Sequence, residues 1–378
     1  MASPEQLLHA AADQTGLDDF GDDGFREGLE VLLGALDREA RLNDRGAAFL
    51  YPRLIGYLRQ RLHVEDWYRR HPEIDDEPLT APLFGLGLPR TGSTALSFLL
   101  AQDPNVRYLH RWEAAQPCPP PSTVLGADPR VPAGLKVVAG SRHHVPTDPD
   151  GPAECLDLMA LDFTSQIFQA FAHIPSYSQW LVDRADFSST YRYERRVLKL
   201  LQWGGPARPW RLKSPAHVLS LTHLDHVFPD ARFVMTHRDP TDVMVSVAEV
   251  YADIVGGFSD HVDRCYLGEL NVHQWSVGME RAVAFRAEGA DDRFFDIDFR
   301  AMAADPVGEV RALYTWLGEA VTDEFESGMR DWWARNAQNR EPRPVVEASD
   351  FGLDPERIRP RFADYTACAT CWTSRPGR

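Results

Sequence analysis

Cysteine is scarce, with five among 378 residues. An odd number fits no closed disulfide framework. Cys368 and Cys371 form one CxxC, and no second ligand pair at zinc spacing accompanies it. All five are expected to be thiols in the cytoplasm. Long apolar runs are also missing. A stretch such as Val31–Leu36 is far shorter than the roughly 20 residues of a membrane helix. The opening Met1-Ala-Ser-Pro-Glu-Gln-Leu-Leu lacks a basic region and carries an early Glu, which argues against a secretory signal. Basic residues are outnumbered, 40 Lys+Arg against 56 Asp+Glu, for a formal net charge of −16. That balance argues against a partner gripped through a broad basic face, nucleic acid above all. It leaves room for a small anionic ligand, because a local cluster of cations acts against the global charge.

What is present suits a folded chain, with 44% hydrophobic and 25% charged residues. The length allows two domain-sized units or one large α/β domain with additions. Residues 1–78 read as helical. Leu29, Leu32, Leu33 and Leu36, then Leu54, Ile55, Leu58 and Leu62, recur at three- and four-residue steps, which is the stripe of a packing face. Pro72, Pro78 and Pro82 punctuate an acidic connector. A core over 79–320 follows, and 321–378 is expected to pack on it. In the core, four short apolar runs each precede a helical pattern: Leu83–Leu88, Trp210–Lys213, Ala231–Thr236 and Arg293–Asp298. Strand–helix alternation predicts a parallel sheet covered by helices. Ligands of such sheets sit at the carboxyl ends of the strands.

Gly87-Leu-Pro-Arg-Thr-Gly-Ser-Thr94 falls at such an end. Backbone N–H groups and a helix start can hold an anionic oxygen there. The loop approaches the Walker A pattern, yet Ser93 stands where that pattern needs Lys, and the cation sits earlier, at Arg90. The dinucleotide fingerprint fails too, since its third glycine position is Arg90. A tight turn with Ser/Thr caps is the plain alternative, and it leaves the Arg unexplained.

Pro89-Arg-Thr-Gly-Ser-Thr-Ala-Leu96 resembles the 5′-phosphosulfate loop of PAPS-dependent sulfotransferases. Phe228-Pro-Asp-Ala-Arg-Phe-Val-Met-Thr-His-Arg-Asp-Pro240 is similar to that family's second signature, with Ser246 eight positions after Arg238. Trp210-Arg-Leu-Lys-Ser-Pro215 resembles the intervening strand that carries a catalytic Lys. The whole is closest to the bacterial branch of the P-loop sulfotransferases. The resemblance implies an α/β fold, a P-loop-type parallel sheet flanked by helices, with a helical N-terminal extension. It also implies PAPS as co-substrate and no metal. Arg90, Thr91, Gly92, Ser93 and Thr94 are then expected at the 5′ end of the donor, and Arg238 with Ser246 at its 3′-phosphate. An Arg fork matches phosphate geometry and a hydroxyl adds a donor. Arg90 and Lys213 are the candidates for stabilising the leaving phosphate.

Two departures matter. The cytosolic branch has a catalytic His where Pro215 stands, and a Trp for adenine where Ala95 stands. Other branches use a Glu about two dozen residues after the loop cation, and Glu113 lies 23 residues after Arg90. Glu113 is therefore the expected base, with Arg111 or His110 beside it; otherwise it pairs with a neighbouring Arg and fixes the loop. His217 and His144 rank second as bases. Glu154 either shapes the acceptor site or starts a helix. The expected reaction moves a sulfuryl group to a hydroxyl, with an amine second, of a small-molecule or lipid acceptor. A P-loop kinase and a non-catalytic nucleotide binder are the alternatives. Phe163, Phe168, Phe171, Tyr177 and Trp180 could line an apolar acceptor pocket, though aromatics in such number more often build core.

Overall fold

The computed structural model describes residues 3–131, 148, 150–337 and 346–374. The chain opens with three helices: α1 (Pro4–Thr15), α2 (Phe25–Glu39) and α3 (Asp44–Arg70). Local chemistry sets their ends. Ser3 and Gln6 form a capping box ahead of α1, and Gly16 closes it in the left-handed conformation at φ +70°. The Asn43 side chain accepts from the Gly46 N–H at 2.8 Å to start α3. The leucines of the expected stripe are buried against the rest of the molecule.

The core then alternates. Strand β1 (Leu83–Gly87) leads to α4 (Ser93–Leu100), the short β2 (Arg107–Tyr108) and α5 (Arg111–Ala115). Helices α6 (Leu156–Met159), α7 (Ile167–Phe171), α8 (Pro175–Asp183) and α9 (Ser188–Gln202) precede β3 (Trp210–Lys213). Next come α10 (Leu221–Val227), β4 (Arg232–His237), α11 (Pro240–Gly256), α12 (Arg264–Phe285) and β5 (Phe294–Asp298). Helices α13 (Phe299–Ala304), α14 (Pro306–Leu317), α15 (Asp323–Ala337), α16 (Pro355–Arg361) and α17 (Ala363–Thr373) complete the described chain. None of its helices is long and apolar enough to cross a membrane.

The five strands form one sheet in the order β2-β3-β1-β4-β5, and every pairing is parallel. Side chains alternate across it, as the pleat requires. Phe233, Met235 and Phe294 point into a large core shared with the N-terminal helices. Val234, Phe295 and Ile297 point into a smaller one shared with α4, α14 and α15. Beneath the sheet, Arg286 donates both guanidinium nitrogens to Asp296 at 2.7 and 2.8 Å. His237 pairs with the same carboxylate at 2.7 Å. Strand β1 is central. Its register sets Gly85 beside Lys213 and Gly87 beside Thr236, so the loop after β1 meets the ends of β3 and β4. Such a point, where the strand order reverses, is the ligand crevice of open α/β sheets.

Candidate active site

The loop after β1 is bent by three residues in the left-handed region: Gly87 (φ +122°), Arg90 (φ +63°) and Gly92 (φ +90°). Gly87 is required twice over, because a Cβ there would also lie 2.7 Å from the Thr236 carbonyl oxygen. The Thr91 hydroxyl donates to the Leu88 carbonyl at 2.7 Å and pairs with the Thr236 hydroxyl at 2.6 Å. Thr91 thereby ties the loop to β4. No side chain caps the start of α4, so the N–H groups of its first turn are left for a ligand.

Residues from separate sequence motifs meet at this loop. The Arg90 Nε donates to the Ser246 hydroxyl at 3.3 Å, and Arg238 donates to the Arg90 carbonyl at 3.2 Å. Arg238 lies over the Phe299 ring at 4.7 Å and 3.5 Å from the Asp242 carboxylate. A cavity of about 250 Å³ continues from Arg238 past Phe299 to Tyr365 of α17.

On the other side of the loop, Lys213 Nζ reaches the Thr94 hydroxyl at 3.4 Å and bonds to the Glu154 carboxylate. Glu154 is held there by backbone pairing. The Ala153 N–H donates to the Leu109 carbonyl at 2.7 Å, and the Cys155 N–H to the Lys213 carbonyl at 3.0 Å. Thr94, Lys213 and Glu154 form one end of a cavity of about 390 Å³. Its far wall comes from α3, through Arg53, Tyr57 and Arg59, and its side from Arg111.

The base candidates fare differently. Glu113 is fully buried and does not line that cavity. One oxygen accepts from Arg107 at 2.5 Å and the other from the His110 N–H at 3.1 Å. It closes a capping box at the start of α5, and its cation is Arg107 rather than Arg111. His217 is also fully buried. Its Nδ1 bonds to the Tyr191 hydroxyl at 2.9 Å, and burial pushes its pKa down to about 3. Its imidazole clusters with Cys155 and Glu194, their ligating atoms within 4.8 Å of one another. Burial raises the Glu194 carboxyl to about 8. His144 lies outside the described residues. The aromatics weighed as pocket or core are core: Phe163, Phe168, Tyr177 and Trp180 are buried in the large core and Phe171 packs against it; none lines the cavity.

Sequence reasoning missed the α3 wall. Its arginines stand on a helix more than a dozen residues before the loop, and only tertiary packing brings them to it. The signal for Glu154 was weak but present: a Gly-Pro turn at Gly151-Pro152 delivers it ahead of α6.

A parallel sheet with a glycine-bent loop after its central strand, and cations from two further strand ends beside it, suits an α/β protein that binds an anionic ligand. Comparison with known proteins says which family it is. The Sulfotransferase family model matches residues 82–323, and the chain belongs to that family. Sulfotransferase STF9 from Mycobacterium avium superposes with a TM-score of 0.89 at 33% identity, covering 97% of each chain. Sulfotransferase STF1 from Mycobacterium tuberculosis gives 0.84 at 32% identity, covering 96% of this chain and 98% of its own. No curated protein sequence matches.

Proposed function

We propose that this protein transfers a sulfuryl group from PAPS to a hydroxyl of a small-molecule or lipid acceptor. An amine takes second place. One observation carries the reading: Lys213 Nζ stands between Thr94, at the open start of α4, and Glu154, on the wall of the larger cavity. A donor at the loop and an acceptor in the cavity would meet at that ammonium.

The residues suit a donor charged at two separate places. Loop N–H groups and Arg90 face the 5′ phosphosulfate, and Arg238 with Ser246 the 3′-phosphate. In-line displacement then forms an acceptor O–S bond as the S–O bond to the phosphate breaks. The acceptor proton passes to Glu154, the carboxylate that lines the cavity, rather than to Glu113, whose two oxygens are already engaged. Lys213 and Arg90 offset the charge that grows on the leaving phosphate. Adenosine 3′,5′-diphosphate and the protonated carboxyl remain, and the proton is lost to water. The five cysteines, none of them disulfide-bonded, suit a cytoplasmic setting.

The test is transfer of labelled sulfate from PAPS into metabolite extracts, with mass identification of the product. ATP labelled at the γ-phosphate runs in parallel. Label from PAPS supports the reading; label from ATP alone replaces it with a kinase.

A further inference from the structure

The larger cavity is unevenly charged for a chain with a net charge of −16. Its walls carry four cations, Arg53, Arg59, Arg111 and Lys213, and two acids, Glu154 and Asp157. Each acid has one oxygen paired with a cation. Glu154 bonds to Lys213, and Asp157 lies 3.4 Å from Arg53, whose Nε also donates to the Tyr57 hydroxyl at 2.7 Å.

Arg59 and Arg111 are left over. Arg59 Nε and Arg111 Nη1 are buried atoms with no hydrogen-bond partner among the described residues. The Arg111 guanidinium has an aromatic neighbour, Phe98, at 5.9 Å, and burial lowers its pKa. Asp148, Asp157 and Glu154 act on it electrostatically, but no described group accepts a hydrogen bond from Nη1. A buried N–H without an acceptor costs folding free energy. Both side chains line the cavity, where the oxygens of a ligand can supply acceptors once the guanidinium groups turn toward it.

We propose that the acceptor carries an oxyanion (carboxylate, phosphate or sulfate) which Arg59 and Arg111 bind while its hydroxyl faces Glu154. The inference rests on the sulfuryl-transfer reading above. Guanidinium groups suit such an anion because their planar fork pairs with two of its oxygens at once. The donor is anionic too, but it meets this cavity at Thr94 and Lys213, away from Arg59 and Arg111, and its 3′-phosphate is assigned beyond the loop, at Arg238 and Ser246. The cations of α3 and α5 therefore select the acceptor.

The experiment divides one metabolite extract on an anion exchanger before reaction. Each half is incubated with the purified protein and labelled PAPS. Label is expected in the retained, anionic half. With that half as acceptor, Arg59→Gln and Arg111→Gln should each raise the apparent acceptor KM about 10–100-fold, the worth of one charge-assisted hydrogen bond, with kcat within about twofold. The KM for PAPS should not move. Label confined to the unretained half, or wild-type acceptor KM in both variants, overturns the proposal and leaves sulfuryl transfer standing. Label in neither half removes both. Should Arg111→Gln melt early, Arg59→Gln on α3 decides the matter alone.

Discussion

Replacing Glu113 by Gln separates a structural carboxylate from a catalytic one. Its side chain is 1% exposed and that of its partner Arg107 is 18% exposed. Gln keeps one carbonyl oxygen but turns an amide N–H toward the second donor, so either Arg107 or the His110 N–H loses its acceptor. The charge-assisted bond is worth about 1.5–3 kcal/mol and an unsatisfied buried donor about 1–3 kcal/mol, so a loss of about 2.5–6 kcal/mol is expected. At about 2.1 cal/mol/K of unfolding entropy per residue, 378 residues carry about 0.8 kcal/mol/K, and the melting midpoint should fall by about 3–7.5 °C. Transfer should drop by less than about tenfold, because the chemical step keeps its base. Thermal melting and label transfer from PAPS are measured on one preparation. An unchanged midpoint with a 10²–10⁴-fold slower transfer would make Glu113 the base and refute the argument.

Glu154→Gln should show the opposite pattern, a rate lower by about 10²–10⁴-fold with little change in melting. Arg238→Ala should weaken binding of adenosine 3′,5′-diphosphate by about 1.5–3 kcal/mol and spare adenosine 5′-phosphosulfate; calorimetry showing equal losses would misplace the 3′-phosphate. The Glu194–His217 cluster predicts a pH profile of stability. Glu194, raised to about 8, contributes stability that is complete below its unfolded value and fades as pH rises toward 8. His217, lowered to about 3, contributes stability that is complete above its unfolded value and fades as pH falls toward 3. The two slopes oppose each other in mildly acid solution. Above the unfolded histidine pKa only the Glu194 slope remains, and Glu194→Gln should flatten it in melting scans. A slope that survives the substitution would assign it elsewhere.

The loop and the strand ends around it were legible because their signals are local. Gly87, Arg90 and Gly92 mark a strand–loop–helix joint, and the Arg238–Ser246 spacing spans one strand end and the helix after it. Strand β2 was not legible, since two residues carry no periodicity. Glu113 shows how one spacing admits two readings. Counting from Arg90 selects the right neighbourhood, yet His110 three residues before a Glu is also a helix-start pattern, and the fold uses it so. Glu154 reaches Lys213 because its neighbours Ala153 and Cys155 pair with Leu109 and Lys213, contacts that no local window contains.

The α3 wall has a consequence for how such proteins diverge. Arg53, Tyr57 and Arg59 lie outside residues 82–323, the stretch shared with the family model, yet they face the same chamber as Lys213. On the proposed reading, selection on one helix would change what is modified, while the residues assigned to the donor stay under their own constraint. Relatives grouped by their common core would share a co-substrate and differ in product. Exchanging the first 78 residues between two of them should carry acceptor preference along with the exchanged segment.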